Sequence, residues 1–157
     1  MQEAIIKTPV GTAKIIGDAN GVQRIGILDD VADVSEIIPE ALEDCAYQLA
    51  EYFEGKRKTF SLKLNPQGTD FQKRVWQALL KIPYGKTTSY LKLSQELGDE
   101  KAIRAVAAAN GKNPLWIVVP CHRVIASDGS LTGYAGGLWR KKWLLEHETP
   151  PAQQSLF

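Results

Sequence analysis

Between residues 69 and 111 the chain alternates helix-forming stretches with stop signals, and this constrains its fold more than any other feature. Thr69 stands three residues before Gln72, the spacing at which two side chains cap each other's backbone amides at a helix start. Phe71, Val75, Leu79 and Ile82 then supply an apolar stripe, and Pro83 with Gly85 ends it. A second helix runs from about Ser89 to Leu97 and stops at Gly98. Asp99 can cap a third, from about Glu100 to Ala109, ended by Asn110-Gly111. Two helices joined by a short glycine-containing turn form a helix-turn-helix.

The residues before this region follow another rhythm. Residues 3 to 8 and 12 to 28 read as strands, with a hairpin turn at Asp18-Ala19-Asn20-Gly21. A helix follows Pro39, placing Leu42, Cys45 or Ala46, Leu49 and Phe53 on one face, and ends at Gly55. Thr59 to Leu64 could add a strand, and Asn65-Pro66-Gln67-Gly68 is a linker. The expectation is an α+β fold. A small N-terminal α/β lobe (1–64) precedes a mainly helical C-terminal domain (69–148) with a winged helix-turn-helix-like motif for DNA, and residues 149–157 form a tail.

Charge divides at nearly the same place. Residues 1 to 54 carry three Lys/Arg against eleven Asp/Glu, a net of −8, and the remainder carries a net of +9. Only the basic part suits a polyanion. No apolar run approaches the roughly 20 residues that span a bilayer. Met1-Gln2-Glu3-Ala4-Ile5-Ile6 has neither the basic start nor the apolar stretch of a signal peptide, so cytoplasmic residence is expected. Cys45, Cys121, His122 and His147 lack the spacing of a zinc site, and neither a metal nor a cofactor is expected.

The residues most suggestive of chemistry are Pro120-Cys121-His122-Arg123, directly after the apolar run Trp116-Ile117-Val118-Val119. The thiolate is the nucleophilic form of cysteine, and a free thiol titrates near pH 8.5. A neighbouring base must therefore draw its proton away at neutral pH. By itself the pair fits either a nucleophile with its base or a buried structural cysteine beside a surface histidine.

Asn113-Pro114 precedes this motif. Gly133-Tyr134-Ala135-Gly136-Gly137 and Arg140-Lys141-Lys142-Trp143-Leu144-Leu145-Glu146-His147-Glu148 follow it. In order and content the set resembles the O6-alkylguanine-DNA alkyltransferases, also called methylated-DNA–protein-cysteine methyltransferases, over about residues 69 to 148. The resemblance implies a single-use repair protein that flips O6-alkylguanine out of double-stranded DNA and moves the alkyl group onto its own cysteine. It leaves O4-alkylthymine open as a second substrate. It implies Cys121 as acceptor, His122 as the base acting through a bridging water, and Glu148 as the carboxylate orienting the imidazole. Asn113 would tie the active-site loop to the helix-turn-helix. Tyr90 would contact the flipped base, and Arg104 on an alanine-rich helix would fill the vacated place in the stack. Backbone at Cys121, Val124 and Ala135, with Tyr134 beside it, would line the guanine pocket. Arg123 and Lys142 read as fold or phosphate contacts, and Trp116 as a ring near the pocket mouth. The implied protein acts as a monomer. Gln153-Gln154-Ser155-Leu156-Phe157 resembles the short peptide with which bacterial repair proteins bind the sliding clamp, through Gln153, Leu156 and Phe157.

Overall fold

The computed structural model describes residues 1–30, 32–134 and 136–149. The chain divides into two compact units. The first is Met1–Gln67 with Pro114–Trp116, and the second is Gly68–Asn113 with Ile117 onward.

In the first unit, β1 (Gln2–Thr8), β2 (Gly11–Asp18) and β3 (Gly21–Ile27) form an antiparallel sheet in that order. Alternation along β2 buries Ala13 and Ile15, and Ala4, Val22 and Ile25 join them from β1 and β3. At the hairpin, Asp18 Oδ1 accepts from the Asn20 amide at 2.8 Å. Gly21 follows with φ +132°, and a Cβ there would lie 3.0 Å from the Lys63 carbonyl oxygen. Helix α1 (Glu40–Phe53) buries Leu42, Cys45, Leu49 and Tyr52. The stripe thus ends on Tyr52, and Phe53 sits half-buried with its ring edge-on to Tyr52 at 5.3 Å.

Residues 59–64 do not form the expected strand. Gln48 of α1 takes the backbone of Ser61 instead, accepting from its amide at 3.0 Å and donating to its carbonyl at 3.2 Å. The segment meets the sheet only where Leu64 bridges Val22. The sequence also gave no sign that Pro114–Trp116 belongs here. The Ile25 amide donates to the Pro114 carbonyl at 2.8 Å, and the Trp116 amide to the Ile25 carbonyl at 3.1 Å. Trp116 is therefore buried beside Phe53, with ring centroids 6.1 Å apart. Its backbone pairing with β3 makes it a core residue of the first unit.

In the second unit, α2 (Asp70–Leu79) begins with the expected reciprocal cap. The Gln72 amide donates to Thr69 Oγ1 at 3.1 Å, and the Thr69 amide to Gln72 Oε1 at 2.9 Å. The helix stops at Leu79, so Ile82 and Pro83 lie in the turn beyond it. Next come β4 (Thr88–Ser89) and α3 (Tyr90–Glu96), the latter capped by Ser89. Gly98, at φ +91°, makes the left-handed turn. Asp99 caps a tight 3-10 turn, Glu100–Ala102, before α4 (Ile103–Gly111), so the third helix opens with a narrower turn than expected. Trp76 of α2 donates from Nε1 to the Ala109 carbonyl at 2.9 Å and locks these helices together. The unit closes with β5 (Val124–Ile125) and α5 (Leu138–Glu148).

Candidate active site

The site is built where a short turn meets a two-stranded sheet. Pro120 leads into a 3-10 turn of Cys121, His122 and Arg123, and β5 follows at once. β5 pairs parallel with β4, Thr88 opposite Val124 and Ser89 opposite Ile125. This register sets Tyr90, the first residue of α3, near enough to Cys121 for the two to interact electrostatically. Asn113, just beyond α4, donates from Nδ2 to the Val119 carbonyl at 2.7 Å and pins the segment before the turn. Ile117, where the chain re-enters this unit, has φ +71°. For a β-branched residue this conformation is strained.

His122 is fully buried, and its Nε2 lies 2.7 Å from Glu148 Oε2 at the end of α5. Arg123 grips the same carboxylate, Nε to Oε1 at 2.7 Å and Nη2 to Oε2 at 3.1 Å. Its Nη1 donates to the Ile82 carbonyl at 2.7 Å, and its guanidinium lies over the Tyr84 ring. Burial pushes the Glu148 carboxyl up, but His122 and Arg123 outweigh it and hold the group well below the usual carboxylate range. A carboxylate only accepts hydrogen bonds, so in the neutral imidazole the proton belongs on Nε2 and the lone pair on Nδ1. Nδ1 is buried and has no hydrogen-bond partner among the described residues. The imidazole is thus oriented with its accepting nitrogen unused.

Cys121 keeps 8% of its surface exposed. Burial pushes its thiol up, while the Asn113 side chain, the Lys141 charge, the local backbone and Tyr134 pull it back. The resting form at neutral pH is therefore the thiol, which needs a base to ionise. Lys141 is wholly buried on α5 and donates to the Thr132 carbonyl at 2.9 Å. Tyr90 Oη donates to the same carbonyl at 3.4 Å, and burial pushes the Tyr90 hydroxyl up.

Helix α4 presents an exposed face of small residues around one arginine. Arg104, Ala105 and Ala108 are exposed, while Val106 and Ala109 face the core. Arg104 makes no hydrogen bond or ion pair among the described residues, and its neighbours are small enough for close approach to a groove.

The structure gathers Cys121, His122, Glu148, Asn113, Tyr90, Val124 and Tyr134 in one unit, and sets Arg104 on a surface helix of that unit. Ala135 and the tail residues Gln153, Leu156 and Phe157 lie outside the described residues. Arg123 had been read as a fold or phosphate contact. Its burial and its pairing with the Glu148 carboxylate select the first of these, a fold contact. Lys142, by contrast, is exposed and pairs with Glu146 at 3.9 Å. Lys141 was given no role, although periodicity could have found it. It falls at i−3, i−4 and i−7 from Leu144, Leu145 and Glu148, a cation on the inward stripe of α5. Among the described residues no group of three or more His, Cys, Asp or Glu could hold a metal ion, and no helix is long and apolar enough to cross a membrane.

Comparison with known proteins supplies the context for this geometry. The family model for the 6-O-methylguanine DNA methyltransferase DNA binding domain matches residues 70–150, and that for the ribonuclease-like domain matches residues 1–66. A Methanosarcina barkeri protein named methylated-DNA--protein-cysteine methyltransferase is 45% identical, covering 92% of this chain and 94% of its own. One of the same name from Mycobacterium tuberculosis is 43% identical over 97% of this chain and 96% of its own. The crystal structure of Mycobacterium tuberculosis OGT in complex with DNA superposes with a TM-score of 0.87 at 40% identity, covering 98% of each chain. An O6-methylguanine DNA methyltransferase from Methanococcus jannaschii gives 0.68 at 29% identity over 92% of each. With family models matching residues 1–66 and 70–150, the chain belongs to the 6-O-methylguanine DNA methyltransferase family.

Proposed function

We propose that this protein repairs O6-alkylguanine in double-stranded DNA by taking the alkyl group irreversibly onto Cys121, one transfer per molecule. The observation that carries the reading is the buried line from Arg123 through Glu148 to His122, the residue that follows Cys121. His122 Nδ1 receives the thiol proton through a bridging water, and Glu148 stabilises the resulting imidazolium. The sulfur attacks the alkyl carbon, the carbon–O6 bond breaks, and its electron pair returns to the purine, which takes a proton to become guanine. The product is a thioether with no ready leaving group, so the protein is spent. The damaged base is itself the alkyl donor, and no cofactor takes part.

A base inside a duplex is beyond reach of a buried sulfur and must be turned out, at a cost of a few kcal/mol. Arg104, exposed and unengaged on α4, fills the gap left in the stack, and Tyr90 contacts the extruded nucleotide. Asn113 holds the loop, and the backbone of Cys121, Val124 and Ala135 with Tyr134 borders the base. The DNA-bound structure of the Mycobacterium tuberculosis relative supports the use of this domain on DNA. The protein works in the cytoplasm as a monomer, and its tail through Gln153, Leu156 and Phe157 docks on a sliding clamp. Calorimetry with the clamp, comparing the full chain with one lacking residues 153–157, tests that last point.

The main reading is tested by mixing the protein with a duplex bearing one O6-methylguanine and taking an intact mass. A gain of one methyl group on Cys121, with no second turnover, is expected. Repeated turnover, or repair by Cys121→Ala, would refute it.

A further inference from the structure

Lys141 is the oddest residue of the site. The inward stripe of α5 is Lys141, Leu144, Leu145 and Glu148, and Lys141 is the most deeply buried of its charged members, with no exposed surface. Glu148 is compensated by Arg123 and His122. Lys141 has no ion pair with any carboxylate among the described residues. Its ammonium meets the Thr132 carbonyl at 2.9 Å and the face of the Tyr90 ring at 5.8 Å from the centroid. One carbonyl and a ring face do little to offset the loss of water around an ammonium, and an apolar side chain would fill the position more favourably.

The arrangement makes sense if a negative charge forms nearby. The groups facing Lys141 are the Tyr90 phenol at the start of α3, the Thr132 carbonyl of the loop before α5, and Cys121 of the 3-10 turn. Of these, Cys121 is the one the reaction ionises. Burial brings the Lys141 ammonium down to about 8, and Cys121 opposes that fall. The influence is mutual, since Lys141 favours the ionised sulfur.

We propose that Lys141 is the counter-ion of the Cys121 thiolate, a positioning residue that holds positive charge beside the sulfur while His122 removes its proton. The inference rests on Cys121 being the acceptor of the alkyl group. It divides the work: His122 gives the proton a destination, and Lys141 stabilises the anion left behind. The shared Thr132 carbonyl adds a second task, because Lys141 and Tyr90 are fixed against the same atom and the cation keeps its place relative to the base-contacting ring.

The test is Lys141→Met, which keeps the length of the side chain and removes its charge. The full chain is mixed with duplex carrying O6-methylguanine, and transfer is followed from pH 6 to 9 beside the ultraviolet absorbance of the thiolate. The variant should bind the duplex as the wild type does. It should transfer at least about tenfold more slowly at pH 7, the effect of one unit in thiol ionisation, and recover as the pH rises. Its thiolate absorbance should appear at correspondingly higher pH. An unchanged profile, or a loss equal at every pH, would overturn the proposal and leave Lys141 as a brace for the Thr132 loop. Should the variant not fold, the wild type alone decides. Nitrogen NMR of the Lys141 ammonium before and after S-methylation should show it titrating lower once the sulfur can no longer ionise, and an unmoved titration rejects the role. Failure of the wild type to gain any mass would instead reject the alkyl-transfer reading itself.

Discussion

The molecule contains two buried thiols, one in each unit, and their surroundings could hardly differ more. Cys45 lies on the inner face of α1, beside a groove of about 540 Å³ lined by Asp18, Glu40 and Asp44. Burial pushes it up to about 12, with nothing opposing. Cys121 is also pushed up by burial, but Asn113, Lys141 and Tyr134 all favour its ionised form, and His122 follows it in the chain. Burial therefore does not separate a structural cysteine from a reactive one. The separation comes from polar groups arranged to receive a proton and to accompany a charge. The unit holding Cys45 is rich in carboxylates and supplies neither.

The sharpest way to break this comparison is to exchange the thiols' fates. Cys121→Ala should abolish alkyl uptake from lesion-bearing duplex by intact mass, and Cys45→Ala should leave it complete. Residual uptake mapped to Cys45 would collapse the distinction. Next in size are the groups behind Cys121. His122→Ala or Glu148→Ala should slow transfer by roughly 10²–10⁴-fold, the usual worth of general-base assistance, with lesion binding largely kept. Glu148→Gln should in addition destabilise the fold by about 3–5 kcal/mol in denaturant melts, since it strands the buried Arg123 guanidinium.

Acid sharpens the same point. The folded-state titration of Glu148 lies below its unfolded value near 4.3, so its stabilising effect is present above about pH 4.3 and lost as pH falls further. The wild type should lose more stability than Glu148→Gln between about pH 4 and pH 2. A parallel decline in both would show that the carboxylate is not ionised in the fold. Lys141 gives the opposite sign. Its folded-state titration, about 8, lies below the unfolded value near 10.4, so its burial weakens the fold below pH 8. The stability advantage of Lys141→Met over wild type should shrink as pH rises from about 8 to 10.4.

Arg104→Ala should lose more activity on duplex than on free alkylated guanine, because only the duplex requires base flipping. Equal losses would make Arg104 a fold residue. Smallest of all, Cys45→Ala should lower stability by about 1 kcal/mol, the order expected for removing one buried heavy atom.

Local rules carried much of the architecture. The Thr69–Gln72 cap, the Gly98 turn and the hairpin at Asp18–Gly21 each depend on a few neighbouring residues, and such chemistry is written in sequence. What escaped was non-local. Ser61 could have extended the sheet, but a glutamine thirteen positions earlier took its backbone. Trp116 is a core residue of the first unit because Ile25 binds its amide, a pairing no local pattern announces. In the site, Cys121 and His122 stood out through their adjacency and Glu148 through the family resemblance. Arg123 stayed open between fold and phosphate because a surface cation and a buried one are the same letter until the carboxylate partner is placed.

The same non-locality governs when the protein becomes chemically competent. Glu148 follows His122 by 26 residues, and the two meet only when α5 docks. On a growing polypeptide the sulfur emerges first, without the carboxylate that sets the imidazole's proton and without Lys141. The nucleophile thus begins as an ordinary thiol, and gains its oriented base and its neighbouring cation only when the last helix is in place. Chains stalled before residue 138 should leave Cys121 no more reactive toward small alkylating agents than an ordinary unfolded thiol.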